Sequence, residues 1–182
     1  MSFLKNVALT TVLVAMPAAM QAQRRVPATD SGAIGGDVGV LLPRDQTLTA
    51  GPALEGFYEY YLTPRNSLRL GVGWANPKLE RESSDSVRHV RVAVDTVYNW
   101  EGGAVHPFVG GGLGVYFLQF IDNGNSLGDS ESKLGATVFG GVEFFTSGTL
   151  SVKGEGRYHL VQKGLGMTPG GLGLTIGLKK YF

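Results

Sequence analysis

The sequence predicts an all-β fold, an eight-stranded antiparallel up-and-down transmembrane β-barrel, and three observations predict it. Apolar side chains recur at every second position from Ala33 onward. The positions between them collect the charges and many of the 28 glycines. The links between the alternating runs are short and long by turns, as in a barrel that runs up and down.

Eight segments carry the alternation: 33–42, 52–62, 67–76, 87–100, 104–119, 133–146, 149–161 and 171–182. Most reach the ~9–11 residues that a tilted strand needs to cross a bilayer. One face reads Val38, Val40 and Leu42, then Leu68, Leu70, Val72 and Trp74, then Val90, Val92 and Val94. It ends with Leu172, Leu174, Ile176 and Leu178. The other face carries Asp37, Glu55, Glu59, Arg69, Arg91, Asp95, Glu143, Lys153, Glu155, Arg157 and Lys179.

Alternation alone does not say which face points outward, because a soluble lipocalin-like barrel also alternates. Glycine decides it here. Gly71, Gly73, Gly110, Gly112, Gly114, Gly171, Gly173 and Gly177 share the charged face. A solvated surface gains nothing from glycine, which weakens strands. A narrow barrel interior needs small residues beside long charged ones. The charged face is therefore read as the lumen, with six acids against five bases that are expected to pair across it as a plug. A narrow conduit for small solutes is the alternative.

Aromatic residues on the apolar face gather towards the strand ends: Tyr60, Tyr98, Trp100, Phe144 and Phe182 at one rim, Trp74, Phe117 and Tyr158 near the other. Two such belts are the girdles of a membrane barrel. The links 63–66, 101–103 and 146–149 are tight, whereas 43–51, 77–86, 120–132 and 162–170 are expected as longer polar loops. That pattern puts both barrel termini on the periplasmic side.

The first residues give the route. A base at Lys5, an apolar run from Val7 to Met16 and small residues up to Ala22 form the layout of a secretory signal peptide. Residues 1–22 are read as that signal, 23–32 as a polar lead-in and 33–182 as the barrel domain. Without residues 1–22 the chain holds 15 Lys+Arg and 15 Asp+Glu, and no basic stripe suits nucleic acid. There is no cysteine, so no disulfide or thiolate metal site exists. No later run approaches the ~18 apolar residues of a membrane helix.

The stretches "FYEYYLTPRNSLRLGVGW" (57–74), "HPFVGGGLGVYF" (106–117), "GVEFFTSGTLSVKGEGRYHLV" (141–161) and "LTIGLKKYF" (174–182) resemble the small outer-membrane β-barrel proteins of the OmpA/OmpX/OmpW-like class. The resemblance implies a bacterial outer-membrane location and partners in outer-membrane lipid and lipopolysaccharide. It also implies that Phe182 is a signal for the barrel-assembly machinery. A monomer is expected, with an envelope-structural or surface-interaction role and no cofactor.

Some relatives modify lipid A with a Ser/His/acid site, so the histidines bear on catalysis. Parity places His89, His106 and His159 in the lumen, with His106 at the periplasmic end. Ser83, Ser84, Asp85 and Ser86 near His89 have the right residue types, but composition does not make a triad. Neither catalytic residues nor a metal site are expected. The run "GGGLG" (110–114) sits mid-strand and lacks a phosphate-loop context. Loops 121–132 and 162–171 are the candidate contact surfaces.

Overall fold

The computed structural model describes residues 27–80, 85–100, 103, 105–122 and 125–182. The expected signal peptide, residues 23–26 of the lead-in, Ser83 and Ser84 lie outside the described residues. Eight long strands follow one another: β1 (Gly32–Pro43), β2 (Gly51–Tyr61), β3 (Asn66–Ala75), β4 (Ser86–Asn99), β5 (Val105–Asp122), β6 (Asn125–Phe145), β7 (Leu150–Val161) and β8 (Gly171–Tyr181). Each pairs antiparallel with its neighbour in sequence. β8 then pairs with β1, from Ala33↔Tyr181 to Pro43↔Gly171, and the sheet closes. Closure satisfies the backbone groups that an open edge would leave bare, which a bilayer demands.

The period-two pattern becomes two faces of one wall. Outward side chains are apolar and bare: Leu113 is 72% exposed, Ile176 67% and Leu134 62%. An apolar surface that wraps a whole barrel is one that hydrocarbon covers. Inward side chains are the charged ones, and they are buried.

Both ends of the described chain meet at one rim, the turn end. Its connections are tight. In the β2–β3 turn the Thr63 hydroxyl accepts the N–H of Asn66 at 2.9 Å, and Leu62 N–H donates to Asn66 O at 2.9 Å. In the β6–β7 turn Thr146 N–H donates to Leu150 O at 2.9 Å. The opposite rim, the loop end, carries longer links after β1, β3 and β7. There a two-residue ladder joins Leu48–Thr49 to Lys78–Leu79 across two of them.

One expected loop is not a loop. Residues 120–132 read in the sequence as a long polar link, yet β5 runs to Asp122 and β6 starts at Asn125. The sequence explains it: "DNGN" at 122–125 contains Asn-Gly, the strongest short hairpin signal, and its polar flanks conceal strand periodicity. β6 has 21 residues, and only from Gly135 does it pair with β7. Residues 125–134 therefore extend past β7, by about 30 Å along the strand at ~3.3 Å per residue. The register shifts between Leu118 and Phe120, with Gly128 at φ 71° on the opposing strand, which marks a bulge.

Glycines set how close the lumen side chains pack. A Cβ at Gly177 would collide with the Asp37 carboxylate and with Gly36 O, and one at Gly112 with Asp95. A Cβ at the outward Gly56 would meet nothing within 4 Å. Gly177→Ala is therefore expected to cost roughly 1–3 kcal/mol through overpacking. Gly56→Ala should leave stability within about 0.5 kcal/mol. Urea titration of the protein folded into lipid vesicles checks both.

Candidate functional site

The lumen is built by strand alternation: residues two apart on a strand share its inner face. On β7 this stacks Lys153, Glu155 and Arg157 in one column. Glu155 takes Arg69 Nη1 at 2.8 Å, Lys153 Nζ at 2.9 Å and Arg157 Nη2 at 2.8 Å. Lys153 also reaches Asp37 at 2.7 Å. Arg69 continues to Glu59 at 3.0 Å. Lys179 there joins Glu59 at 3.1 Å to Glu143 at 3.3 Å. Towards the loop end Arg157 binds Asp95 at 2.7 Å and faces Glu55 at 3.6 Å, and Glu55 holds Arg91 at 2.6 Å. The eleven lumen charges read from the sequence thus form a single connected chain of ion pairs.

Uncharged partners complete it. Ser67 donates to Glu59 at 2.5 Å and Tyr61 OH accepts from Lys179 at 2.6 Å. Ser151 and Tyr181 hydroxyls both donate to Glu143. Phe57, Phe108 and Phe139 fill the spaces between. The Arg157 guanidinium lies 3.9 Å from the Phe139 ring centre, and Lys153 Nζ lies 4.5 Å from that of Phe57. Such cation–π contacts stabilise desolvated cations. At the turn end Ala33, Tyr61, Phe145 and Tyr181 close the lumen with an apolar floor. The sequence reading named none of these aromatics. Their signal was available, since Phe57 stands between Glu55 and Glu59 at the same parity.

The histidines separate. His106 lies in the floor, its ring centre 4.8 Å from Phe145 and its Nε2 2.9 Å from Gly103 O. His89 and His159 line a cavity of about 50 Å³ near the loop end, together with Arg91, Tyr116 and Arg157. Tyr116 OH and His159 Nδ1 share a hydrogen bond of 2.9 Å. Ser86 and His89 are three apart on the regular strand β4, so their side chains stand on opposite faces. They do not form a nucleophile–base pair.

Among the girdle residues, Tyr60, Trp100, Phe117, Phe144 and Phe182 are exposed, and Trp74, Tyr98 and Tyr158 are half-buried. Tyr98 packs edge-on against Trp100 at 4.9 Å. Phe182 packs beside Tyr58 at 6.3 Å, and its N–H donates to Gly32 O at 3.0 Å.

Loop 162–170 reaches over the loop-end cavity through Pro169. Carboxylates from two other elements hold it. Thr168 N–H donates to Asp45 at 2.9 Å, and Leu165 N–H donates to Glu131 at 3.0 Å. The Thr168 N–H, with the N–H and hydroxyl of Thr47, holds the Asp45 carboxyl below its ordinary value.

The sequence profile of the family described as outer membrane protein beta-barrel domain matches residues 7–179. No curated protein matches the sequence. Solved structures share the fold. Neisserial surface protein A is 17% identical with a TM-score of 0.69, covering 83% of this chain and 97% of its own. The outer membrane protein OprG from Pseudomonas aeruginosa is 13% identical with a TM-score of 0.63, covering 86% and 97%. Ail, the attachment invasion locus protein of Yersinia pestis, is 18% identical with a TM-score of 0.50, covering 84% and 97%.

Removing one member of a buried ion network strands the others. Glu155→Gln is expected to lower the unfolding free energy by about 3–5 kcal/mol. Glu131→Gln, on an exposed pair with Lys133, should change it by less than about 1 kcal/mol. Urea titration in vesicles again reads the difference. The Asp45 tie has its own pH signature. A depressed carboxyl contributes above its unfolded pKa of ~3.9 and loses that contribution as pH falls through the lower folded value. Amide-exchange protection of Thr168 should therefore hold at neutral pH and collapse in that acid window. Asp45→Ala should show the low protection at every pH.

Proposed function

The chain belongs to the outer membrane protein β-barrel domain family, and from that premise we propose that its barrel is a plugged support for a surface-interaction site outside the cell. The turn end faces the periplasm and the loop end faces outward. Lipid and lipopolysaccharide surround the wall, and the protein works as a monomer without catalysis.

One observation carries this reading: the barrel is spent on filling itself, while the tip of the β5–β6 hairpin, residues 125–130, is spent on nothing internal. Residues 125–130 are exposed on both faces of β6. Beyond Leu134 this strand has no β7 partner, so one backbone edge is offered to the surroundings. An edge of that kind binds extended segments by strand addition. Two of the similar structures are, by name, a surface protein and an attachment invasion locus protein. That is said of those proteins, and it lends support to a contact role here.

A narrow channel is the competing reading, and the lumen opposes it. A solute would have to part an ion network and then pass the floor of Tyr61, Phe145 and Tyr181.

The chain has no cysteine, so single cysteines report its orientation cleanly. Ser126→Cys should react with a membrane-impermeant maleimide on intact cells, and Ser147→Cys only after permeabilisation. The reverse pattern would sink the orientation. In planar bilayers the refolded protein should give no reproducible conductance steps; stable unitary steps would replace the plug with a channel.

A further inference from the structure

The lumen network leaves polar atoms over near the loop end. Among the described residues, Arg91 Nη1 and His89 Nε2 have no hydrogen-bond partner. Both side chains are more than nine-tenths buried, and both line the cavity under loop 162–170. Arg157 Nη2, in the same wall, is ion-paired but makes no hydrogen bond of good geometry.

The neighbouring carboxylates are taken, and the Tyr116 hydroxyl beside Arg91 already shares a hydrogen bond with His159 Nδ1 at 2.9 Å. Asp95 Oδ2 holds Arg157 at 2.7 Å and its Oδ1 accepts the Thr137 hydroxyl at 3.1 Å. Both oxygens of Glu155 serve cations. Glu55 gives Oε2 to Arg91 at 2.6 Å, and its Oε1 faces Arg157 at 3.6 Å. Arg91 Nη1 and Arg157 Nη2 therefore face one spare carboxylate oxygen, and His89 Nε2 joins them as a donor in its Nε2–H tautomer. A buried donor without an acceptor is unfavourable, and a ligand oxygen removes the deficit.

We propose that this cavity is a binding site for a small carboxylate anion with a short alkyl tail. The carboxylate sits on the Arg91–His89 side, away from Glu55 Oε1, with Arg157 within reach of its second oxygen. Guanidinium forks favour a planar two-oxygen head over a spherical anion. The tail lies against Leu41, Ala75 and Pro169, which line the rest of the cavity. A volume of about 50 Å³ has room for about three to five waters at ~10–15 Å³ each, or for an anion of about five heavy atoms. The ligand enters from the loop end, past the segment held by Asp45 and Glu131. It leaves the same way, because the ion network and the aromatic floor lie beneath. The site binds and does not conduct, so it adds to the surface role without depending on it.

The probe is sodium propionate, titrated calorimetrically into the refolded full chain in detergent, with sodium chloride at equal ionic strength as reference. Saturable one-site binding of propionate is expected, with no matching isotherm for chloride. Arg91→Gln should weaken it at least tenfold. Ala75→Leu, which fills the cavity and leaves every ion pair in place, should abolish it. Heat-modifiable gel mobility verifies that each variant is folded. Should Arg91→Gln not fold, Ala75→Leu decides alone: lost binding supports the site and retained binding overturns it. Absence of saturable heat with the unaltered protein would mean the cavity holds water only, and would overturn it. An equal isotherm with chloride would overturn the carboxylate assignment.

Discussion

The barrel depends on Glu155. Its two oxygens meet cations from three directions, Arg69 from β3 and Lys153 and Arg157 from either side on β7. Through Arg69 it is tied to Glu59 and Lys179 near the floor, and through Arg157 to Asp95 on β4 and Glu55 on β2. Ions in so narrow a space are tolerable only as a complete set, because the desolvation of each is offset by its neighbours. That makes the network a device for register as much as for stability. A one-residue slip of any charged strand would turn its lumen side chains into lipid. At mid-bilayer a Lys or Arg on that face costs about 2–4 kcal/mol. The wrong register is thereby excluded twice, once inside and once outside.

The same constraint explains the glycines. An eight-stranded barrel has an interior just wide enough for side chains. Here that interior holds Phe57, Phe108, Phe139 and Phe145 beside eleven charged groups, so some inward positions must carry nothing. Gly110 gives its space to Phe139 and Gly177 to Asp37; a Cβ at either would overlap the side chain that fills it. Glycine weakens a strand in isolation. In this wall the loss is offset by closure and by the contacts that the vacated space permits.

Much of this was legible in the sequence, and the reasons are physical. Period-two alternation fixes the face of every residue once the strand is regular, so Asp37, Arg69 and Lys179 could be placed in one lumen without coordinates. Membrane crossing sets a minimum strand length, which places the segments to within a few residues except at the start of β6, at Asn125 rather than 133. What was not legible was register across strands, and hence who pairs with whom. Parity says that Glu155 and Arg69 share an interior, but not that they touch. The lumen aromatics escaped notice for a related reason. Phe57 looks like a lipid-facing residue until Glu55 and Glu59 on either side of it are counted, and Phe139 until its shared parity with Glu143 is noticed. The loop-end cavity was invisible because His89, Arg91 and His159 meet through the curvature of the barrel, across β4 and β7.

The misread segment 120–132 is the informative error. Alternation detects strands because one face is buried and the other is not. Residues 125–130 are exposed on both faces, so burial imposes no alternation on them, and a strand there looks like a loop. Such a strand also carries a liability, a bare backbone edge able to pair with any extended chain. This hairpin limits it by familiar means. A bulge opposite Leu118 and Phe120 bends the ribbon, Asp129 and Glu131 charge it, and the Glu131 contact with Leu165 N–H ties its base to the neighbouring loop. Natural sheets keep a long exposed edge only where it is curbed or used. Curbed at its base and bare at its tip, this one has the form that the proposed contact role requires, and the closed, ion-filled barrel below gives it a rigid footing.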